Sequence, residues 1–545
     1  MPPPPPESPS DPPLLPLPRS ARFPSGRWTL PADLALTGPP AAVAVVRRLL
    51  GPGTGLDLPS AAVGRLRIAV ESSMAPEAYR LSVTVEGIAI TAADLAGVNW
   101  ATQTLRQLLP PSVLRPAPSG EPLTVPYAEI DDAPAYSWRG VHLDVGRHFL
   151  PLSDLFRLVD LIALHKANVL HLHLTEDQGW RFESLRHPRL QEVASWRRET
   201  RRHYDEVGDG TPEGGYYRQD QLRALVAYAA QRGITVVPEL EFPGHVRAVL
   251  AAYPELGLHP DAGVATATGF GVFTEVLSLS DAAMDFVLDV YAELLDVFPS
   301  RFIHVGGDEC PPDEWLQSPA AQQLAEQRGL ADASQLQRWF TEQLRDWLAA
   351  HGRQLVGWDE ICDQGALPGA VAMAWRGADI GSRAAAAGLE VVMSPMQHTY
   401  FDFYPGPGEE EQYAIGWLTT AETAYEFDPL AGIAGEHHAR VLGTQCQVWT
   451  EYMPTMRRVE YMLFPRACAH SEVAWSEQVG RSWEEFEPRL AAHLERLDAL
   501  GVNFRPLAGP HPWQQGGTGA LRRPEAHRGR AASISTPSWT PPATH

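Results

Sequence analysis

The chain has 545 residues, of which 44% are hydrophobic and 20% charged, and a formal net charge of −22 at pH 7. That length buries a large core, either two domains or one large barrel with additions. The negative balance argues against nucleic acid or an anionic membrane as the main partner. Lys166 is the sole lysine, so arginine carries nearly all the positive charge, a bias that reads as one of coding rather than of function.

Residues 1–26, which begin MPPPPPESPSDPPLLPLP, are Pro-rich and expected to be disordered. They have neither the basic nor the apolar region of a secretory signal, and no apolar run is long enough to cross a membrane. The expectation is a soluble, cytoplasmic chain. Residues 27–133 read as a small α+β domain. Within it YRLSVTVEGIAITA alternates as two strands around a turn, and GVNWATQTLRQLL follows as an amphipathic helix.

From 134 to 508, short apolar runs ending in polar or aromatic residues alternate with helical segments such as LSDLFRLVDLIALHKA and DQLRALVAYAAQR. The runs fall at 140–148, 168–177, 233–241, 302–309, 354–360, 370–375, 389–394 and 441–451. Eight such units predict an α/β fold, a closed (β/α)8 TIM barrel. A doubly wound open sheet is the alternative, but the dinucleotide-binding glycine fingerprint is missing. Residues 509–545 lack apolar periodicity and are expected to form a disordered tail. The cysteines Cys310, Cys362, Cys446 and Cys468 lie far apart without C-x-x-C spacing, so buried free thiols are expected.

Barrels of this kind carry their chemistry at the C-terminal ends of the strands. Those ends hold Arg147, Glu176, Asp177, His245 (in the loop after the third strand), Asp308, Glu309, Trp358, Trp375, Trp449 and Glu451. In FIHVGGDEC, residues 302–310, a buried strand is loosened by two glycines and then presents two adjacent carboxylates. Desolvation and a like neighbouring charge both raise a carboxyl pKa, which keeps an acid protonated near neutral pH. Acids of that kind beside indole faces suit the cleavage of a sugar. The plainer readings are a solvated turn for the acids and rim packing for the indoles. His171 and His173 read as hydrogen-bonded core histidines, since no third residue has metal-ligand spacing. Arg139 and Asp144 read as a structural ion pair near the first strand.

The motifs LDVGRHFLP, LHLHLTEDQGWR, PELEFPGH, HVGGDE, VGWDEI and VWTE, in that order, resemble glycoside hydrolase family 20, the β-N-acetylhexosaminidases. The resemblance spans roughly residues 60–505 and includes the small domain that precedes that family's barrel. It implies retaining, substrate-assisted hydrolysis of terminal β-linked GlcNAc or GalNAc, in which the acetamido oxygen attacks C1 and forms an oxazolinium ion. Glu309 is then the general acid/base, Asp308 orients the acetamido N–H and stabilises its charge, and Tyr400 donates to the acetamido carbonyl. Arg147 and Glu451 bind O3 and O4, and Asp402 binds a hydroxyl on the far side of the ring. Trp358, Trp375 and Trp449 wall the pocket, and His245, with Glu176 or Asp177, tunes the acid. The implied partner is an oligosaccharide or glycoconjugate ending in N-acetylhexosamine, with no cofactor and no metal. Glu176 and Glu241 stand where the family commonly has Asp. Two other readings remain: a two-carboxylate retaining glycosidase with Glu451 or Asp402 as nucleophile, and a catalytically silent sugar-binding barrel.

Overall fold

A computed structural model describes residues 11–202 and 207–515. The N-terminal domain is built on a six-stranded sheet of β1 (Ser20–Arg22), β2 (Leu36–Thr37), β3 (Leu66–Val70), β4 (Tyr79–Thr84), β5 (Gly87–Ala92) and β6 (Ala128–Asp132), in the order β1-β6-β4-β5-β3-β2. The expected strand pair is β4 and β5, antiparallel from Tyr79↔Ala92 to Thr84↔Gly87. The expected helix is Leu95–Leu108, which buries Val98, Trp100, Ala101 and Leu105. Asp94 caps its N-terminus by accepting the Gly97 N–H at 2.8 Å, which satisfies one of the free donors of the first turn.

Order begins earlier than composition suggests. Leu14 and Leu15 are buried, the Leu15 N–H donates to Gln107 Oε1 at 2.9 Å, and β1 pairs with β6. Proline fixes φ and so lowers the entropy lost on ordering, which lets part of a Pro-rich lead pack. Residues 509–515 are ordered as well, with Gln514 buried and donating to Asn503 Oδ1 at 3.0 Å and to the Phe504 carbonyl at 2.8 Å. The rest of the two expected tails, 1–10 and 516–545, lies outside the described residues.

The eight expected runs supply the eight strands of a closed parallel barrel: β7 (Trp138–Asp144), β8 (Val169–His173), β9 (Thr235–Glu239), β10 (Phe302–His304), β11 (Gln354–Trp358), β12 (Val371–Ala374), β13 (Glu390–Met393) and β14 (Val441–Cys446). β14 pairs back onto β7 from Gly443↔Trp138 to Cys446↔Val141, so an open sheet is excluded. β7 and β8 are buried at every residue, as parallel strands covered on both faces must be. β9 meets β10 at one residue pair, Glu239↔His304, and Pro238, which offers no N–H, stands just before it. Strand β10 ends at His304, so the two carboxylates of interest lie in the loop beyond it.

Arg139 and Asp144 do not pair. They occupy opposite ends of β7, about 16 Å apart at strand rise. Arg139 instead forms an ion pair with Glu77 of the small domain, whose carboxylate also accepts the Trp100 indole N–H at 2.8 Å. The lone lysine completes the same seam. Lys166 Nζ lies 2.9 Å from both Asp132 Oδ2 and Tyr79 Oη and 4.3 Å from the Trp475 ring centroid. The Trp475 indole N–H and the Tyr79 hydroxyl also donate to Asp132. Burial draws the Lys166 pKa below its ordinary value, while Asp132 opposes the shift. Lys166→Met therefore leaves a buried carboxylate without its cation and is expected to lower unfolding free energy by about 3 kcal/mol in denaturant titration. Adding Asp132→Asn should recover part of that loss, and strictly additive effects would contradict a direct pair.

Candidate active site

The two glycines after β10 are a packing requirement. Gly306 and Gly307 have φ of +66° and +93°, and a Cβ on Gly306 would lie 1.9 Å from Glu241 Oε2. That same oxygen accepts the Gly307 N–H at 3.2 Å, and the Gly307 carbonyl accepts from Gln337 Nε2 at 2.7 Å. The backbone thus turns against a buried carboxyl and sends Asp308 and Glu309 into the mouth. Glu309 and His245 are themselves left-handed, with φ of +46° and +50°, a conformation costly for residues with a Cβ and common at functional sites. They face each other, with His245 Nε2 3.8 Å from Glu309 Oε2 and 3.9 Å from Asp308 Oδ2.

Behind His245 the charges alternate. Its Nδ1 lies 2.8 Å from Glu176 Oε1 and 3.0 Å from Asp177 Oδ2, and Glu176 Oε2 lies 3.1 Å from Arg147 Nη2 and 3.2 Å from His173 Nε2. Burial works against a charged imidazole, but the two carboxylates hold the His245 pKa well above its ordinary value. Burial likewise opposes the Glu176 carboxylate, and Arg147 and His245 overcome it and hold its pKa well below the usual range. Glu309 goes the other way: burial raises its pKa, His245 partly opposes the shift, and Asp308 adds to it.

The remaining expected residues gather around this centre. Trp358, Trp375, Tyr400 and Trp449 belong to one buried cluster. Trp375 and Tyr400 stack at 6.2 Å, and Trp358 meets Trp449 at 5.6 Å. Trp358 is almost wholly enclosed and donates its indole N–H to Glu239 at 2.8 Å, so it lies beneath the pocket wall. Arg147 stands 4.9 Å from the Trp449 ring centroid. Burial lifts the Asp402 pKa well above its ordinary value, with Glu451 adding to the shift, and pushes Glu451 up to about 7 against the pull of Arg147. Among the described residues nothing supplies a hydrogen bond to the buried atoms Asp308 Oδ1, Asp402 Oδ1, Glu451 Oε2 and His245 Nε2.

Several participants escaped the sequence reading. Glu239 sits inside the barrel, 2.6 Å from His173 Nδ1, 3.0 Å from His171 Nε2 and 2.7 Å from His304 Nδ1. His173 Nδ1 hydrogen-bonds to Glu239 and His171 Nδ1 accepts from Gln445 Nε2 at 2.9 Å, so both are hydrogen-bonded core residues. Donor atoms of His142, His173 and Glu239, and of His171, Glu239 and His304, lie within 4.8 Å of one another, but the Glu239 carboxylate already hydrogen-bonds to His173 Nδ1 and the Trp358 indole N–H. The signal was present as polar residues at alternate positions of buried strands, which project into a barrel interior. Glu360 accepts the Trp375 indole N–H at 3.0 Å, and Asp144 accepts the Thr450 N–H at 3.1 Å. The four cysteines are free; Cys446 and Cys468 are buried as expected, but Cys310 and Cys362 are only partly buried.

Residues 136–478 match the description "Glycosyl hydrolase family 20, catalytic domain", and residues 11–133 match "Glycosyl hydrolase family 20, domain 2". The chain belongs to glycosyl hydrolase family 20. It is 40% identical over 445 residues to a β-hexosaminidase of Porphyromonas gingivalis, which covers 81% of this chain and 56% of that protein's length. It is 36% identical over 425 residues to a β-hexosaminidase of Akkermansia muciniphila, covering 77% and 83%. A solved family 20 exo-β-N-acetylglucosaminidase from Vibrio harveyi, in complex with N-acetylglucosamine, superposes with a TM-score of 0.80 at 30% identity, covering 91% of this chain and 78% of that one. The domain 2 match begins at residue 11 and so takes in Leu14, which packs into the small domain, and Leu15, which hydrogen-bonds to Gln107 there.

In this family 20 site the opposed charges on either side of Glu309 fix the sign of two pH shifts. The His245 cation stabilises ionised Glu309, so His245→Gln should raise the pKa and move the alkaline limb of kcat/KM to higher pH. The Asp308 carboxylate destabilises it, so Asp308→Asn should move that limb to lower pH, on top of a loss of rate. Limbs that move together would contradict the arrangement.

Proposed function

We propose that the protein is a β-N-acetylhexosaminidase that removes terminal β-linked GlcNAc or GalNAc with retention, using the substrate's own acetamido group as nucleophile. The observation that carries this reading is the set of buried, unpartnered carboxyl oxygens on Asp308, Asp402 and Glu451 beside Glu309, whose pKa is raised by burial. Buried acceptors without partners are costly, and an amino sugar supplies donors for each: the acetamido N–H for Asp308, and ring hydroxyls for Asp402 and Glu451.

In the first step the acetamido oxygen bonds to C1 as the C1–O glycosidic bond breaks. Glu309 passes its proton to the leaving oxygen, while Asp308 holds the N–H and stabilises the positive charge of the oxazolinium ion. Tyr400 donates to the acetamido oxygen, and Trp375 and Trp449 confine its methyl group. In the second step Glu309 takes a proton from water, the water oxygen bonds to C1, and the bond from C1 to the acetamido oxygen opens. Arg147 and Glu451 orient O3 and O4. A protein nucleophile is less well supported, because Asp402 and Glu451 both have raised pKa values that favour their neutral forms.

Paired aryl β-N-acetylglucosaminide and aryl β-glucoside substrates test the reading, and turnover of the first alone is expected. Glu309→Gln should reduce turnover of substrates with poor leaving groups by about 10²–10⁴-fold and that of activated aryl substrates by much less. Equal losses on both leaving-group types would remove Glu309 from the acid role.

A further inference from the structure

Beside the mouth lies a second pocket of about 720 Å³ that the hydrolytic reading does not use. Its size is that of a site for a small ligand. One wall comes from residues 193–202 and the other from the loop 264–273. Arg197, Arg198, Arg201, Arg202 and Arg247 all line it, and among its described lining residues none is acidic. The chain as a whole has a net charge of −22, so five guanidinium groups on one pocket stand out against its composition.

Two of these arginines are structural. Arg197 pairs with Glu213 at 2.5 Å and donates to the Arg147 carbonyl at 2.6 Å, and Arg247 pairs with Glu275 at 3.0 Å. Two others face solvent. The Arg198 side chain is 79% exposed, with Glu199 at 3.4 Å, a surface pair too weak to hold it. Arg201 spends its Nε on Thr268 Oγ1 at 3.1 Å and has no acidic partner among the described residues. On the same wall Trp196 is 51% exposed, a large apolar face in a pocket lined by cations, which suits stacking on a sugar ring.

The pocket is tied to the reaction centre. The Arg247 N–H donates to Asp177 Oδ1 at 3.0 Å, and the Ala267 N–H donates to the Asp177 carbonyl at 2.9 Å. Asp177 is the residue that holds His245 against Glu309. The 264–273 loop also carries Val272, 48% exposed, which lines the cleft in front of Glu309. Val272 therefore links the two: it lines the cleft, while Phe270 and Phe273 of the same loop line the arginine pocket.

We infer that this pocket is an accessory subsite for an anionic substituent, a sulfate ester or a uronate carboxylate, on the sugar beyond the leaving-group oxygen. Arg198 and Arg201 make the charged contacts, and Trp196 stacks on the ring. Guanidinium groups suit both anions because each offers paired oxygens to a planar fork. A single acidic sugar can meet these two guanidinium groups, while the charge of the whole chain opposes long polyanions. The inference rests on the hydrolytic reading above.

The test compares kcat/KM of the full chain on four substrates: an aryl β-N-acetylglucosaminide, a neutral disaccharide ending in N-acetylhexosamine, and the same disaccharide with a uronic acid or with a sulfated sugar in second place. At low salt at least one acidic disaccharide should exceed the neutral one, with the advantage fading by about 0.5 M NaCl; which of the two does so identifies the anion. Arg198→Gln with Arg201→Gln should lower the acidic rate by about 5–30-fold while leaving the aryl and neutral substrates unchanged. Equal wild-type rates on neutral and acidic disaccharides, or equal losses on all substrates in the double variant, would overturn the inference. No turnover of the aryl substrate would remove the hydrolytic reading and this inference together; turnover without acidic preference would remove this inference alone.

Discussion

Carboxyl groups outnumber cations at the mouth of this barrel, and the rest of the site follows from how that crowding is relieved. Asp144, Glu176, Asp177, Glu239, Glu241, Asp308, Glu309, Asp402 and Glu451 gather around Arg147, His173 and His245, and Glu360 lies near Arg376. Burial penalises every charge among them. Arg147 and His245 settle on Glu176 and keep it ionised, and His171, His173 and His304 do the same for Glu239. Glu241, Glu309, Glu360, Asp402 and Glu451 are left with raised pKa values. The consequence is a Glu309 carboxyl biased toward its protonated form.

Backbone geometry makes this distribution specific. Among the described residues six without glycine's freedom have positive φ, and four of them sit at two places. Glu77 and Lys166 lie in the seam between the domains, and His245 and Glu309 face each other at the mouth. The seam fixes the N-terminal end of β7 through Arg139, and the same strand leads into Arg147. Glu241 fills the space that Gly306 leaves open, so the turn carrying Asp308 and Glu309 is set by a carboxyl beneath it rather than by the turn sequence alone.

The barrel was legible because its strands are short apolar runs at regular intervals, each ending in residues that a core does not want. Asp308 and Glu309 stood out for the same reason. What the sequence could not reveal depends on contacts between strands far apart in the chain. Glu239 looks like any acid in PELE until β8 and β10 place three histidines around it. Lys166 looks like a relic of composition until Asp132, Tyr79 and Trp475 enclose its ammonium. Arg139 and Asp144 share a strand and opposite signs, yet strand rise separates them. The early start of the small domain was hidden because proline content speaks to local stiffness and says nothing of what Leu14 and Leu15 pack against.

The central claim is that a group on the substrate, not a carboxylate of the protein, attacks C1. A series of aryl glycosides whose acetamido methyl carries zero to three fluorines measures it directly. Fluorine withdraws electrons from the carbonyl oxygen and weakens it as a nucleophile while leaving the leaving group unchanged. A steep fall of kcat/KM across the series is the predicted result, with Asp308→Asn lowering every member. A flat series, in which the rate ignores the basicity of the acetamido oxygen, would place the nucleophile on the protein and contradict the account.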